Sequence, residues 1–239
     1  MDDYFIFNGI KSTDKNIYLI DYNPIFLSDS KNNFINLPGR VGSIESKSKG
    51  LNDIIINCES SILGEGNELI KNIENANHWL SKRSKLKFWN MIDKHYIGRL
   101  VEVIDVEDKN QWGLFNLQFR CYPLKISENK TAIQDIAGKT IINQGTYETT
   151  GKIIVNIDKD VDHLKVDLQN TGEFIYLEDD FKEDDEILID LEDEYVKKNG
   201  NLIMDKLYLE SDFFDIPVGE FEIKLSSGKG TLEYRERWL

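Results

Sequence analysis

From Gly113 to Cys121 the chain alternates. Phe115, Leu117, Phe119 and Cys121 are apolar, and Asn116, Gln118 and Arg120 between them are polar. A period of two sends these sets to opposite faces of a β-strand, so one face needs cover and the other meets water. The cover stands upstream. Leu69, Ile73, Ala76 and Leu80 recur at i, i+4, i+7 and i+11 between Glu65 and Lys82, which is the apolar stripe of one amphipathic helix. Strand patterns surround it at Ile54–Cys58, Leu86–Trp89 and Tyr96–Val106. A helix lying on antiparallel strands makes a compact α+β unit.

The rest of the chain is placed around that unit. Tyr4–Gly9 reads as a strand ended by a turn glycine, Asn16–Ile20 as a second strand, and Ser28–Asn33 as a polar loop. Pro38-Gly39-Arg40 then stands out. Proline pre-sets φ, and glycines at 39 and 42 permit positive φ, so the backbone turns sharply and holds Arg40 in a defined place. The turn reads either as a plain surface turn or as a contact between subunits anchored by Arg40. Beyond Pro123 the pattern weakens, and the domain boundary is expected near Ile133, giving domains 1–133 and 134–239. The second domain carries short β patterns at Lys152–Ile157, His163–Leu168, Glu173–Leu177, Glu186–Leu191, Asn201–Leu209, Glu220–Leu225 and Gly230–Arg235. Turn signals separate them and no helix pattern interrupts, which predicts an antiparallel β-sandwich.

Charge is divided as sharply as pattern. The net charge is −14, yet residues 1–130 hold 17 Lys+Arg against 17 Asp+Glu, and residues 131–239 hold 12 against 26. The acidic half repels nucleic acid and anionic membrane. No apolar run of about 18 residues occurs, so no membrane insertion is expected. The acidic start, Met1-Asp2-Asp3, lacks the basic-then-apolar order of a signal peptide. Cys58 and Cys121 fall on strand patterns and read as two buried thiols.

No reading of the residues yields an enzyme, a cofactor or a metal site. Gly138-Lys139-Thr140 has Ile133 where a phosphate-binding loop needs its first glycine. Asp158, Asp160 and Asp162 have calcium-loop spacing, but His163 takes the place of the turn glycine and Gln169 that of the closing carboxylate. The runs Glu178–Asp180 and Glu183–Glu186 offer paired carboxylates of the kind that glycoside hydrolysis uses, and solvated loops explain them as well. His78, His95 and His163 show no metal-ligand spacing.

The order of these signals resembles the distal tail protein (Dit) family of long-tailed phages of Gram-positive hosts. The resemblance begins with Phe5-Ile6-Phe7-Asn8-Gly9 and Pro38-Gly39-Arg40-Val41-Gly42. It continues with His78-Trp79-Leu80, Leu86-Lys87-Phe88, Tyr96–Leu100 and Gly113–Pro123. It ends with Asn143-Gln144-Gly145 and Tyr234–Trp238. It implies a mainly β fold: a β-rich, ring-forming N-terminal domain with one main helix, and a galectin-like or carbohydrate-module-like C-terminal β-sandwich. It also implies a structural hub protein at the tail tip or baseplate of the virion, made in the host cytoplasm. As a homo-hexamer, that ring joins the major tail tube protein to the tail-associated lysin or spike. In some phages it docks receptor-binding proteins, and DNA passes its channel without specific binding. A galectin sugar site uses a histidine-asparagine-arginine set with a stacking tryptophan. Here the second domain has one histidine, His163, and one tryptophan, Trp238, near the terminus. The alternative to the hub is a stand-alone carbohydrate-binding adhesin.

Overall fold

The computed structural model describes residues 3–23, 30–31, 33–35, 38–39, 41–42, 44–46, 50–108 and 112–239. They form two compact units, residues 1–125 with 239, and residues 126–238. The sequence reading placed the change of domain near Ile133. In the structure Thr131–Gln134 is a strand paired with Lys229–Tyr234, which draws the preceding residues into the second unit.

The main sheet of the first unit is antiparallel. Its order is Ile10–Lys11, Phe5–Phe7, Ser84–Phe88, Lys94–Asp108, Trp112–Cys121, Ile54–Leu63 and Ile17–Tyr22. The first hairpin turns on Asn8 and Gly9, with φ of 51° and 76°, and Phe7 pairs with Ile10. Two successive positive φ values match the twist of a two-residue hairpin, and Asn-Gly is the dipeptide that adopts them most readily. Ile54–Leu63 pairs residue for residue with Trp112–Cys121, so Ile56, Cys58, Leu117, Phe119 and Cys121 share the buried face.

Among the described residues the one α-helix runs Asn67–Leu80, inside the expected 65–82. Ala76, Trp79 and Leu80 are buried, and Leu69 and Ile73 are only partly covered. The stripe therefore faces the sheet most closely at its C-terminal end. Trp79 fixes that end. Its ring stacks on Phe5 at 5.7 Å and 7°, meets Phe7 edge-on at 6.0 Å, and donates from Nε1 to the Phe7 carbonyl at 3.0 Å.

The second unit is a sandwich of two antiparallel sheets. One has the order Thr131–Gln134, Lys229–Tyr234, Gly151–Asn156, Glu186–Asp190, Tyr195–Lys198, Asn201–Leu202. The other has the order Thr140–Asn143, Gly219–Leu225, Val161–Leu168, Phe174–Phe181. Inward residues of both, among them Ile153, Val155, Leu164, Val166, Leu177, Ile189 and Phe221, close one core. Three strands escaped the sequence patterns: 131–134, 140–143 and 195–198 are four residues each, too short for alternation to register. Asn201–Leu209 differs from its expectation as one strand. Pairing ends at Leu202, Met204–Lys206 is a 3₁₀ turn, and Ile203, Met204 and Leu207 pack against the core. Leu207, extended again after the turn, bridges Leu177 of the other sheet.

Candidate functional site

The turn singled out in the sequence joins the paired segments Asn33–Ile35 and Ile44–Ser46. Pro38 and Gly39 form an exposed turn, with Gly39 at φ +84° and Gly42 at +83°. Arg40 lies outside the described residues. Val41, between the glycines, is fully exposed at 102%. The displayed group that the structure describes is thus an aliphatic side chain on a sharply bent backbone.

Other apolar groups of the first unit are presented in the same manner. The loop Trp89–Asp93 is held at both ends: the Tyr22 hydroxyl donates to Asn90 Oδ1 at 2.8 Å, and the Lys87 ammonium donates to the Ile92 carbonyl at 2.8 Å. Tyr22 is itself stacked on Phe88 at 3.9 Å. The loop so fixed leaves Ile92 90% exposed and Trp89 exposed beside it. Along Lys94–Asp108, pairing with Ser84–Phe88 stops at Gly98. From Gly98 onward the strand pairs with Trp112–Cys121, and Val101 and Val103 are exposed. Val103 also lines a small apolar cleft with Leu69, Ile73 and Phe115, which is why the N-terminal half of the helical stripe is not sealed.

Of the 14 exposed large apolar side chains among the described residues, nine lie in the first unit and five in the second. The charge is distributed the other way. Residues 1–125 with 239 carry 16 Lys+Arg and 16 Asp+Glu, and residues 126–238 carry 13 against 27. A neutral surface with fixed, exposed aliphatic groups suits protein contact, and a strongly acidic one opposes packing of its own copies.

The acidic stretches of the second unit are occupied by internal partners. Asp158 accepts from the Ser227 hydroxyl and the Gly228 N–H, Asp160 from Lys182 and the Glu183 N–H, and Asp162 lies 2.7 Å from His163. The three carboxylates with calcium-loop spacing thus serve three different local contacts. Lys198 lies 3.0 Å from Asp179 and 3.3 Å from Asp185. The N–H of Lys182, aided by Asn199 and Lys198, holds the Asp185 carboxyl below the usual range. A carboxyl kept ionised in this way is ill-suited to be the general acid of a glycosidase. Lys139, in the Gly-Lys-Thr triplet, donates to the Gln134 carbonyl at 3.0 Å.

A cleft that the sequence reading missed lies in the second unit. It encloses about 210 Å³ and is lined by Thr150, Lys152, Asp190, Glu192, Glu233 and Arg237 among others. These residues sit on separate strands and turns, so no local spacing marks them.

Residues 144–238 match the family of siphovirus-type tail components, C-terminal domain. Over its whole length the chain has the fold of the Dit protein (gp 19.1) of phage SPP1. The TM-score is 0.88 at 18% identity, covering 100% of both chains, and that structure is described as a paradigm of the hub adsorption apparatus in phages infecting Gram-positive hosts. A chain of the activated, strontium-bound phage p2 baseplate matches more loosely, with a TM-score of 0.49 at 14% identity over 97% of each chain. No curated protein sequence matches the chain.

Proposed function

Because residues 144–238 match the siphovirus-type tail components and the whole length has the Dit fold, we propose that this protein is a structural hub of a phage tail tip. In this reading six copies form a ring between the tail tube and the tail-associated lysin or spike. The first unit makes the ring, and the second, read as galectin-like, stays at the periphery as a platform for host-adhesion components. The observation that supports this division is the opposite distribution of charge and exposed apolar surface. Six copies of a −14 unit crowded at the axis would repel one another, whereas neutral units carrying Val41, Ile92, Val101 and Val103 lose apolar area to each other at no such cost. Neutrality of the first unit also suits a channel that passes DNA, since clustered cations would retain it by counterion release. Arg40, next to Val41 in the sequence, is assigned to a carboxylate of the neighbouring copy.

Negative-stain microscopy and light scattering of the full chain test this. Six-fold rings are expected, dispersed by Ile92→Asp combined with Val103→Asp, weakened by Arg40→Ala, and untouched by Leu209→Asp in the second unit. A chain that stays monomeric at every concentration, or rings broken by Leu209→Asp alone, would overturn the assignment.

A further inference from the structure

The first unit carries an apolar hole and an apolar knob at different places along one strand. The hole is the cleft between the helix Asn67–Leu80 and the sheet, lined by Ile62, Leu69, Ile73, Val103 and Phe115 among others. Val103 pairs with the buried Leu117 and so points to the same face, yet it is 41% exposed. The cover of that face stops short of it. The cleft encloses about 60 Å³. An apolar cavity of about 150 Å³ accepts a benzene ring, so this one takes a single smaller, aliphatic group. The knob is Ile92. It is exposed on a loop pinned by the Tyr22 hydroxyl to Asn90 and by the Lys87 ammonium to the Ile92 carbonyl. Because those bonds fix the loop, presenting its side chain leaves little ordering for a contact to cost. Lys94, at the end of the loop, and Val103 lie about 25–30 Å apart along the strand Lys94–Asp108, at roughly 3.3 Å per residue. The knob of one copy therefore cannot fill its own hole.

Charge is divided between the same two places. At the hole, Glu65, Glu68 and Glu74 on the helix and its approach and Glu102 beside Val103 are exposed, with Lys71 among them. At the knob stand Lys85 and Lys87 on the preceding strand, and Lys94 and Lys125, which line a pocket with Ile92. The acids there are Asp93 and Asp3, the latter next to Tyr4, whose carbonyl accepts from the Trp89 N–H. The neutral sum of the first unit thus hides an acidic hole and a basic knob. We infer that Ile92 of one copy inserts into the cleft of the next, so that first units join head to tail. This deepens the hub reading and rests on it. A two-fold contact needs one self-complementary patch, and here it would set like charge against like. A knob and a hole at different places are satisfied by a heterologous contact, which closes into a ring where its rotation permits. In that contact the basic knob meets the acidic hole. Leu209 is as exposed as Ile92, but it lies beside Glu210 in a unit with 13 Lys+Arg against 27 Asp+Glu, so an acidic rim opposes it. The indole of Trp89 is larger than the hole.

Cysteine cross-linking of the full chain tests this, since the native Cys58 and Cys121 are buried. The double variant Ile92→Cys/Val103→Cys, treated with a short bismaleimide, is expected to give a ladder of covalent multimers beyond the dimer, because every copy then carries both halves of the contact. Each single variant is expected to stay uncross-linked. Ile92→Ala is expected to raise the subunit dissociation constant about tenfold or more, as the loss of an anchor does. Its circular dichroism should be unchanged, because the side chain is exposed in the single copy. Rings seen by negative-stain microscopy without a ladder would overturn the inference and leave the hub reading standing. A chain that gives neither rings nor ladder would overturn both. The inference also fails if the ladder stops at the dimer, if either single variant cross-links, or if Val41→Cys/Val103→Cys gives the ladder in place of the first pair.

Discussion

Trp79 joins the helix to the sheet of the first unit, and truncating it measures how much that join contributes. The ring is 8% exposed, stacks on Phe5, meets Phe7 edge-on and donates to the Phe7 carbonyl. Trp79→Phe keeps an aromatic ring but loses the donor and part of the volume. The hydrogen bond is worth about 1 kcal/mol net, and the smaller ring costs about as much again, so a loss of roughly 1–3 kcal/mol is expected. Trp79→Ala also loses the aromatic pairs and leaves a cavity beside Phe5 and Phe7, for roughly 4–6 kcal/mol in all. Urea unfolding followed by tryptophan emission reads this directly, because Trp89 and Trp112 remain in the same unit and only Trp238 lies in the other. If both variants cost under about 1 kcal/mol, or cost the same, the helix is not anchored by this residue and the packing argument fails.

Three further outcomes follow from the structure. Gly98→Ala would place a Cβ 2.5 Å from Cys121 Sγ and 3.3 Å from the Arg120 carbonyl; the overpacked strand pair should lose about 1–3 kcal/mol in the same urea assay. Cys58 and Cys121 are free and buried, and burial pushes Cys58 far above its ordinary range and Cys121 up to about 12. A thiol-disulfide reagent at mildly alkaline pH should therefore find no reactive thiol in the native chain and two after unfolding. In the second unit the folded pKa values of Asp160, Asp162, Asp185 and Asp190 are all depressed, by backbone N–H donors, His163 and lysines. The sign for a depressed carboxylate is that its stabilisation is complete above its unfolded pKa, near 3.9, and is lost as pH falls toward the folded value. Thermal melts by circular dichroism should show that unit's midpoint holding down to about pH 5 and falling below about pH 4.

Much of this protein is written locally. The alternation at 115–121 and the stripe at 69–80 each need only near neighbours to be read, and the strand and the helix stand where those periods put them. Asn8-Gly9 is a local instruction too, since a two-residue hairpin demands positive φ at both positions. The charge division was also present in the sequence, because it depends only on counting. Pairing decided the rest. Thr131–Gln134 becomes a strand because Lys229–Tyr234, about a hundred residues away, supplies its hydrogen bonds. Asn201–Leu209 leaves its strand because Ile203, Met204 and Leu207 find more apolar contact by turning onto the core than by continuing past Leu202. Lys152, Asp190 and Glu233 are 38 and 43 residues apart along the chain and become neighbours only through the registers of two strand pairs. A one-residue slip in either register would send a member of that row to the opposite face. Local sequence determines which residues are able to form strands, a helix and tight turns. Which strands lie side by side, and hence which charges meet in a cleft, is decided by long-range contacts that appear only when the chain folds.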